Sequence, residues 1–281
     1  MLLGARLRRL RQAAGVTRDS AGHAIRSSGS KISRLELGRT GFKQRDVSDL
    51  LTLYGVGDDA ERSVLLGLAR QANTAGWWHA YADVLPAWFE PYLGLEQAAS
   101  IIRSYEVRFI PGLLQTPEYA RAVARLLDGV SEAGADQRVE LRMQRQQLLH
   151  RPNPPHLWVV IDETALRRPI GGRAVMLEQV DQLIRMSRMG NVTVQVMPFS
   201  VGGHAAAGGQ MAMLRFPEEL LPDVVYQEQI DSAVYLNKPA DTVQYWNILN
   251  RVATEALPPD ASVQKLRRLA DLILGAFPPA A

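Results

Sequence analysis

Apolar positions in the first seventy residues recur at helical spacing and break at glycines. Leu3, Leu7, Leu10 and Ala14 fall at i, i+4, i+7 and i+11, one stripe with arginines on the opposite side. Gly15 ends that segment, and Thr17 is placed to cap a second helix running to about Ile25. Ser28 is placed to cap a third, with Ile32 and Leu35 facing inward. Gly38 and Gly41 bracket a loop, Val47, Leu50, Leu51 and Tyr54 mark a fourth helix, and Asp58 opens a fifth that ends near Gln71. The pattern predicts an all-α helical bundle over residues 1–72.

The texture then changes twice. Residues 73–94 hold Trp77, Trp78, Tyr81, Trp88 and Phe89 among Gly76, Pro86 and Pro91. A flexible linker does not carry so many aromatics, so a packed connector is expected. Residues 95–281 mix the two periods. Helices are expected over 95–105, 117–127, 135–149, 175–189, 242–256 and 262–274. Strands are expected over 157–161, 192–197, 210–216 and 223–227, by apolar runs or alternation. The expectation is a C-terminal α+β or α/β domain with about four strands.

Charge sharpens this division. Residues 1–57 carry eleven Lys and Arg against four acids, a net +7, whereas the whole chain is +3 and the remainder therefore −4. A basic head on a mildly acidic body suits a polyanion, because neutralised phosphates release their counterions. With 47% hydrophobic and 22% charged residues the composition is that of a globular protein. No run approaches the roughly 18 apolar residues of a membrane span. The start runs straight into arginines without an apolar leader core, so a cytoplasmic location is expected. The absence of cysteine excludes disulfides, thiolate nucleophiles and cysteine-rich zinc sites.

The segment from Thr17 to Glu36 has the spacing of a helix-turn-helix. A small residue is needed where Gly22 stands, so that the second helix can approach the first. Ile32 and Leu35 anchor the second helix from behind, which turns Gly29, Ser30, Lys31 and Arg34 outward toward a major groove. Of these, Arg34 is suited to the bidentate contact with guanine. The run Lys31-Ile-Ser-Arg-Leu-Glu-Leu-Gly38, with the basic helix before it, resembles the lambda-repressor-like, Xre-type regulators. By that resemblance Arg18, Arg39, Thr40, Lys43 and Arg45 match positions that hold the DNA backbone, contacts that set register rather than sequence choice. Arg26 stands where the turn of such proteins has glycine, and Ser27 where a small apolar residue is usual. A left-handed backbone at Arg26 would cost on the order of 1 kcal/mol. Arg26 then either sits in a rebuilt turn or bears the strain and reaches toward phosphate.

A second resemblance covers nearly the whole chain. Trp77-Trp78, Gly94-Leu-Glu96, Pro111-Gly-Leu-Leu-Gln-Thr-Pro-Glu-Tyr119, Arg142-Met-Gln-Arg-Gln-Gln-Leu-Leu149, Asp162-Glu-Thr-Ala-Leu-Arg167 with Gly171-Gly172, and Val192-Thr-Val-Gln-Val-Met-Pro-Phe199 recur in order in actinobacterial regulators. They resemble the WhiJ-like, Scr-type antitoxin-like family, whose C-terminal domain has unknown function. The resemblance implies a small protein partner encoded next door and an association with Streptomyces-type differentiation. It brings no catalytic residues and no cofactor.

Within the C-terminal part, Arg138, Arg142 and Arg145 share a helical face at i, i+4 and i+7, either solvated, acid-paired or a dock for an acidic partner. Asp162 and Glu163 fall at a strand end, where sites often form, and His204 and Glu228 are the groups that would complete a cluster with them. Their spacing carries no metal-ligand signature, and neither a metal nor catalysis is expected. The glycine-rich run 202–209 lacks the strand–GxxxxGK[ST]–helix arrangement of a phosphate loop. The expected function is a dimeric, sequence-specific regulator of double-stranded DNA controlled by a small protein partner. The alternative is a one-component regulator whose C-terminal domain senses a small molecule or peptide.

Overall fold

A computed structural model of the chain describes residues 2–36, 38, 40–73, 76–127, 129–217 and 221–275. It divides into two compact units, the first ending at His79 and the second beginning at Ala80, with residues 221–222 grouped with the first.

Among the described residues the first unit holds five α-helices: α1 Leu2–Ala13, α2 Arg18–Ala24, α3 Gly29–Glu36, α4 Gln44–Leu53 and α5 Asp59–Ala72. Their inward stripes, including Leu3, Leu7, Ile32, Leu35, Leu50 and Leu65, close one buried core. Local chemistry sets the ends. Thr17 Oγ1 accepts from the Ser20 N–H at 3.1 Å, and Ser28 Oγ from the Lys31 N–H at 3.3 Å, each satisfying a donor the helix leaves open. Ala14 departs from its expected place in the α1 stripe. Gly15, at φ 67°, turns the chain away, so Ala14 is exposed and Val16 packs on the core instead.

The second unit is built on a mixed sheet of six strands, with spatial order β3-β2-β1-β4-β5-β6. The strands are β1 Ile101–Glu106, β2 His156–Asp162, β3 Val192–Met197, β4 Met211–Arg215, β5 Val224–Glu228 and β6 Ala233–Leu236. β1, β2 and β3 run parallel, while β4, β5 and β6 pair antiparallel. Helices α6 Glu90–Ala98, α7 Pro117–Ala124, α8 Glu132–Gln146, α9 Glu163–Arg167, α10 Arg173–Met186, α11 Pro239–Glu255 and α12 Pro259–Gly275 complete the unit. The parallel half carries its crossovers through α7–α8 and α9–α10, as parallel pairing requires.

The sequence pattern misses two of the six strands. Residues 95–105 were expected to be helical, but α6 ends at Ala98 and β1 takes over at Ile101. β1 is the central strand, flanked by β2 and β4 and buried on both faces, so its apolar run shows no alternation to separate it from a helix. β6 is a four-residue edge strand, too short and too exposed to leave a pattern.

Alternation along β1 nevertheless assigns its side chains to two layers. Arg103 and Tyr105 face α11. There the Arg103 guanidinium lies between the Trp158 and Trp246 rings and donates to Asn250 Oδ1 at 2.6 Å. Ile102, Ser104 and Glu106 face the opposite side. The turn at 111–114 is structural: Leu113 and Leu114 are buried, and the fully buried Gln179 of α10 clamps it. Gln179 accepts from the Thr116 N–H and donates to the Leu114 carbonyl, both at 2.8 Å. Gln179→Leu should therefore leave two buried backbone groups unpaired, at about 1–3 kcal/mol each. Urea unfolding of the full chain should show the midpoint fall accordingly.

Candidate functional site

The basic face of the first unit is set by how closely α3 approaches its neighbours. A Cβ on Gly22 would stand 2.7 Å from the Ser28 carbonyl carbon and 2.8 Å from the Gly29 nitrogen, inside van der Waals contact with backbone. A Cβ on Gly4 of α1 would stand 2.4 Å from the Leu35 carbonyl oxygen. The first constraint is visible in the motif spacing; the second has no local signal. Arg26 adopts φ 54°, so the turn keeps its left-handed geometry and arginine bears the strain. Its side chain is exposed.

Glu36, the last residue of α3, is buried and neutralised by α1. Arg11 reaches it with Nε at 2.5 Å and a second guanidinium nitrogen at 3.2 Å, while Arg18 Nε lies at 3.4 Å. The Glu36 partnership holds the Arg11 guanidinium above its usual pKa, outweighing burial. Removing either partner of a buried pair strands the other's charge.

On the outward side of α3, Ser30 and Arg34 are exposed, and Arg34 has no hydrogen bond or ion pair among the described residues. Gly29 is half-buried, and a Cβ there would stand 2.2 Å from an Asp19 carboxylate oxygen of α2. An acid therefore sits at the amino end of α3, where the helix dipole favours it. Lys31 departs from a free outward position. It is half-buried, and its ammonium lies 2.7 Å from the carboxylate of the buried Asp46 on α4. That partner lies fifteen residues on and was not legible from helical spacing.

The expected phosphate-facing residues surround this face unequally. Lys43, at the amino end of α4, is exposed and without a partner among the described residues. Arg45 is exposed and 3.9 Å from Asp49, a distance at which little is gained. Thr40 is half-buried, and Arg18 is tethered to Glu36 on one side while nearly half exposed. Arg39 lies outside the described residues.

In the second unit the three arginines of α8 are not a solvated face. Arg145 is paired with Glu96, a fully buried carboxylate, at 2.5 and 2.7 Å, and sits over the Phe89 and Tyr92 rings. Arg142 donates to Gln115 Oε1 at 3.0 Å and to the Ala120 carbonyl at 3.2 Å. Arg138 makes neither hydrogen bond nor ion pair, and its buried Nε is unpaired. Helical spacing identifies the shared face but not that the fold turns it inward.

Asp162, Glu163 and His204 split into two arrangements. His204 Nδ1 accepts from the Ala206 N–H at 3.2 Å, which leaves the proton of a neutral ring on Nε2. Nε2 is 3.0 Å from the Tyr105 hydroxyl, and that hydroxyl donates to Asp162 Oδ2 at 2.7 Å. Burial acts to raise the Asp162 pKa, but hydrogen bonds from Thr164 and Tyr105 hold it below the ordinary range. Glu163 faces elsewhere, toward Arg167 at 2.9 Å, Lys265 at 3.0 Å and the Phe199 N–H at 3.1 Å. Glu228 is absent from both groups: it lines a cavity with Glu106. No group of three or more His, Asp or Glu able to hold a metal occurs among the described residues.

Residues 2–65 match the family model of a helix-turn-helix domain, the class of DNA-binding fold that α1 to α5 build. Residues 89–268 match the model of Domain of unknown function (DUF5753), well over half of the chain, and the protein belongs to that family. No curated protein and no solved structure matches it. Among the described residues no helix is long and apolar enough to cross a membrane. Gly22→Val should force α2 and α3 apart, costing about 1–3 kcal/mol as overpacking does. A lowered thermal midpoint, with DNA affinity falling more than for the exposed control Ser20→Val, is the expected result.

Proposed function

We propose that the protein is a sequence-specific transcription regulator that reads double-stranded DNA with α3. The observation that carries this is Arg34, exposed and unpartnered on the outward side of a helix anchored by Ile32 and Leu35. Ser30 precedes it with a short exposed side chain that leaves room for close approach, while Lys31 has to leave Asp46 to reach a base. Arg18, Arg26, Arg39, Thr40, Lys43 and Arg45 are assigned to phosphate. One such head covers little duplex, and a homodimer placing two heads on half-sites supplies the missing contacts.

The second unit is assigned a regulatory role. Its sequence motifs support a place among the WhiJ-like, Scr-type antitoxin-like regulators of actinobacteria, acting in the cytoplasm with a small protein encoded nearby. A dock for that protein on Arg138, Arg142 and Arg145 has little support, since Arg145 is neutralised and Arg142 is enclosed. The alternative input, a small molecule, is favoured by a cavity beside those arginines. The hydrogen-bonded chain of Tyr105, Asp162 and His204 reads as an internal brace.

Selection from random duplexes, followed by titration of the enriched site, tests the DNA reading. Arg34→Ala should lose about 1–3 kcal/mol of discrimination at one base pair, roughly 5–150-fold. Lys43→Ala should weaken all duplexes alike and lower the slope of log affinity against log salt by about one. Wild-type affinity and selectivity in Arg34→Ala would remove Arg34 as a base-reading residue.

A further inference from the structure

A cavity of about 420 Å³ opens on the side of the sheet opposite α11. Its floor is the second face of β1, Ile102, Ser104 and Glu106, continued by Ala212 of β4 and Tyr226 of β5. Trp88, Phe89 and Tyr92 form an aromatic wall, and Arg138, Arg142 and Arg145 of α8 enter from above. A volume in the range of small-molecule sites, a mostly apolar lining and a few convergent polar groups are the features of a binding pocket.

The charges in this cavity are unevenly satisfied. Arg145 has Glu96, but Arg142 meets only a side-chain amide and a carbonyl, and Arg138 meets nothing among the described residues. Burial, with the neighbouring charge of Arg145, brings the Arg142 guanidinium down to about 10. Arg142 is enclosed and Arg138 half-buried, and neither has a carboxylate within hydrogen-bond reach, so an anion beside them is favoured. Of the cavity carboxyls, Glu228 acts on Arg142 through space, and no hydrogen bond joins either carboxyl to Arg138 or Arg142 among the described residues. Burial and the charge of Glu228 push Glu106 up to about 8, so near neutrality it is mostly protonated. Glu228 is engaged by the Tyr226 hydroxyl at 3.1 Å.

We propose that this cavity binds a small organic anion with an aromatic or apolar body, its carboxylate against Arg138 and Arg142 and its ring against Trp88, Phe89 and Tyr92. The proposal deepens the regulatory role assigned to the second unit and is independent of which DNA sequence the first unit reads.

The test uses the full chain without DNA. Phenylacetate, 3-phenylpropionate and indole-3-acetate are titrated calorimetrically, each beside its neutral amide and the corresponding amine. At least one carboxylate is expected to bind ten or more times more tightly than its amide, with the amine weakest. Arg138→Gln should bring that ratio close to one, whereas the exposed control Arg188→Gln should leave it unchanged. Arg138 makes no internal bond, so its loss orphans nothing, and an unaltered thermal midpoint checks the fold. A ligand-induced change in tryptophan emission should disappear in Trp88→Phe. No binding by any carboxylate, equal binding of the amides, an unchanged ratio in Arg138→Gln, or a signal surviving Trp88→Phe would each overturn the proposal. A chain that binds its duplex yet ignores every carboxylate defeats only this inference, and the converse result defeats only the DNA reading.

Discussion

Glu36 is a carboxylate with almost no access to water, and the N-terminal unit is arranged to neutralise it. An uncompensated buried charge costs several kcal/mol, more than this small core can spare. Arg11 answers it from α1 with two nitrogens, which locks the first and third helices together. The absence of side chains at Gly4 and Gly22 lets both backbones approach closely enough for that lock to close. The outward side of α3 is thereby presented in a fixed orientation before any duplex arrives. Binding then loses little to reorganisation. Arg18, leaning on the same carboxylate, is part of this mount as well as of the basic rim.

The second unit solves a different problem with the same residue type. Its sheet needs cover on both faces. One side receives α11 and the Arg103 guanidinium between two indole rings. The other is covered in part by α8, whose Arg145 and Arg142 are fixed by Glu96, Gln115 and the Ala120 carbonyl without filling the space beneath them. Aromatic residues from 88–92 close the wall, and Tyr92 meets Tyr226 with ring centroids 4.3 Å apart. The aromatic stretch after residue 73 thus contributes its later members to the packing of the sheet.

Much of the first unit was legible because its signals are local. Caps at Thr17 and Ser28, the stripe through Ile32 and Leu35 and the small residue at Gly22 all lie within one or two helical turns of what they control. The pairing of Lys31 was not legible, because Asp46 reaches it from another helix and spacing within α3 holds no trace of that. The same limit applies to β1. A strand flanked on both sides in the middle of a sheet has no polar face, and only its hydrogen-bonding neighbours distinguish it from a buried helix. β2, β3, β4 and β5 were found within a residue or so because turn residues bound them. The cavity was invisible because its lining comes from segments more than a hundred residues apart. The arginine triplet of α8 showed its periodicity, but which side of a helix is covered is decided by what packs on it.

β1 also limits how this chain can vary. Neighbouring residues on one strand point opposite ways, so Tyr105 belongs to the brace with Asp162 and His204 while Ser104 and Glu106 belong to the cavity. Gaining or losing a single residue inside 101–106 would exchange the two sets at a stroke, turning the phenol into the cavity and a carboxyl into the core beneath α11.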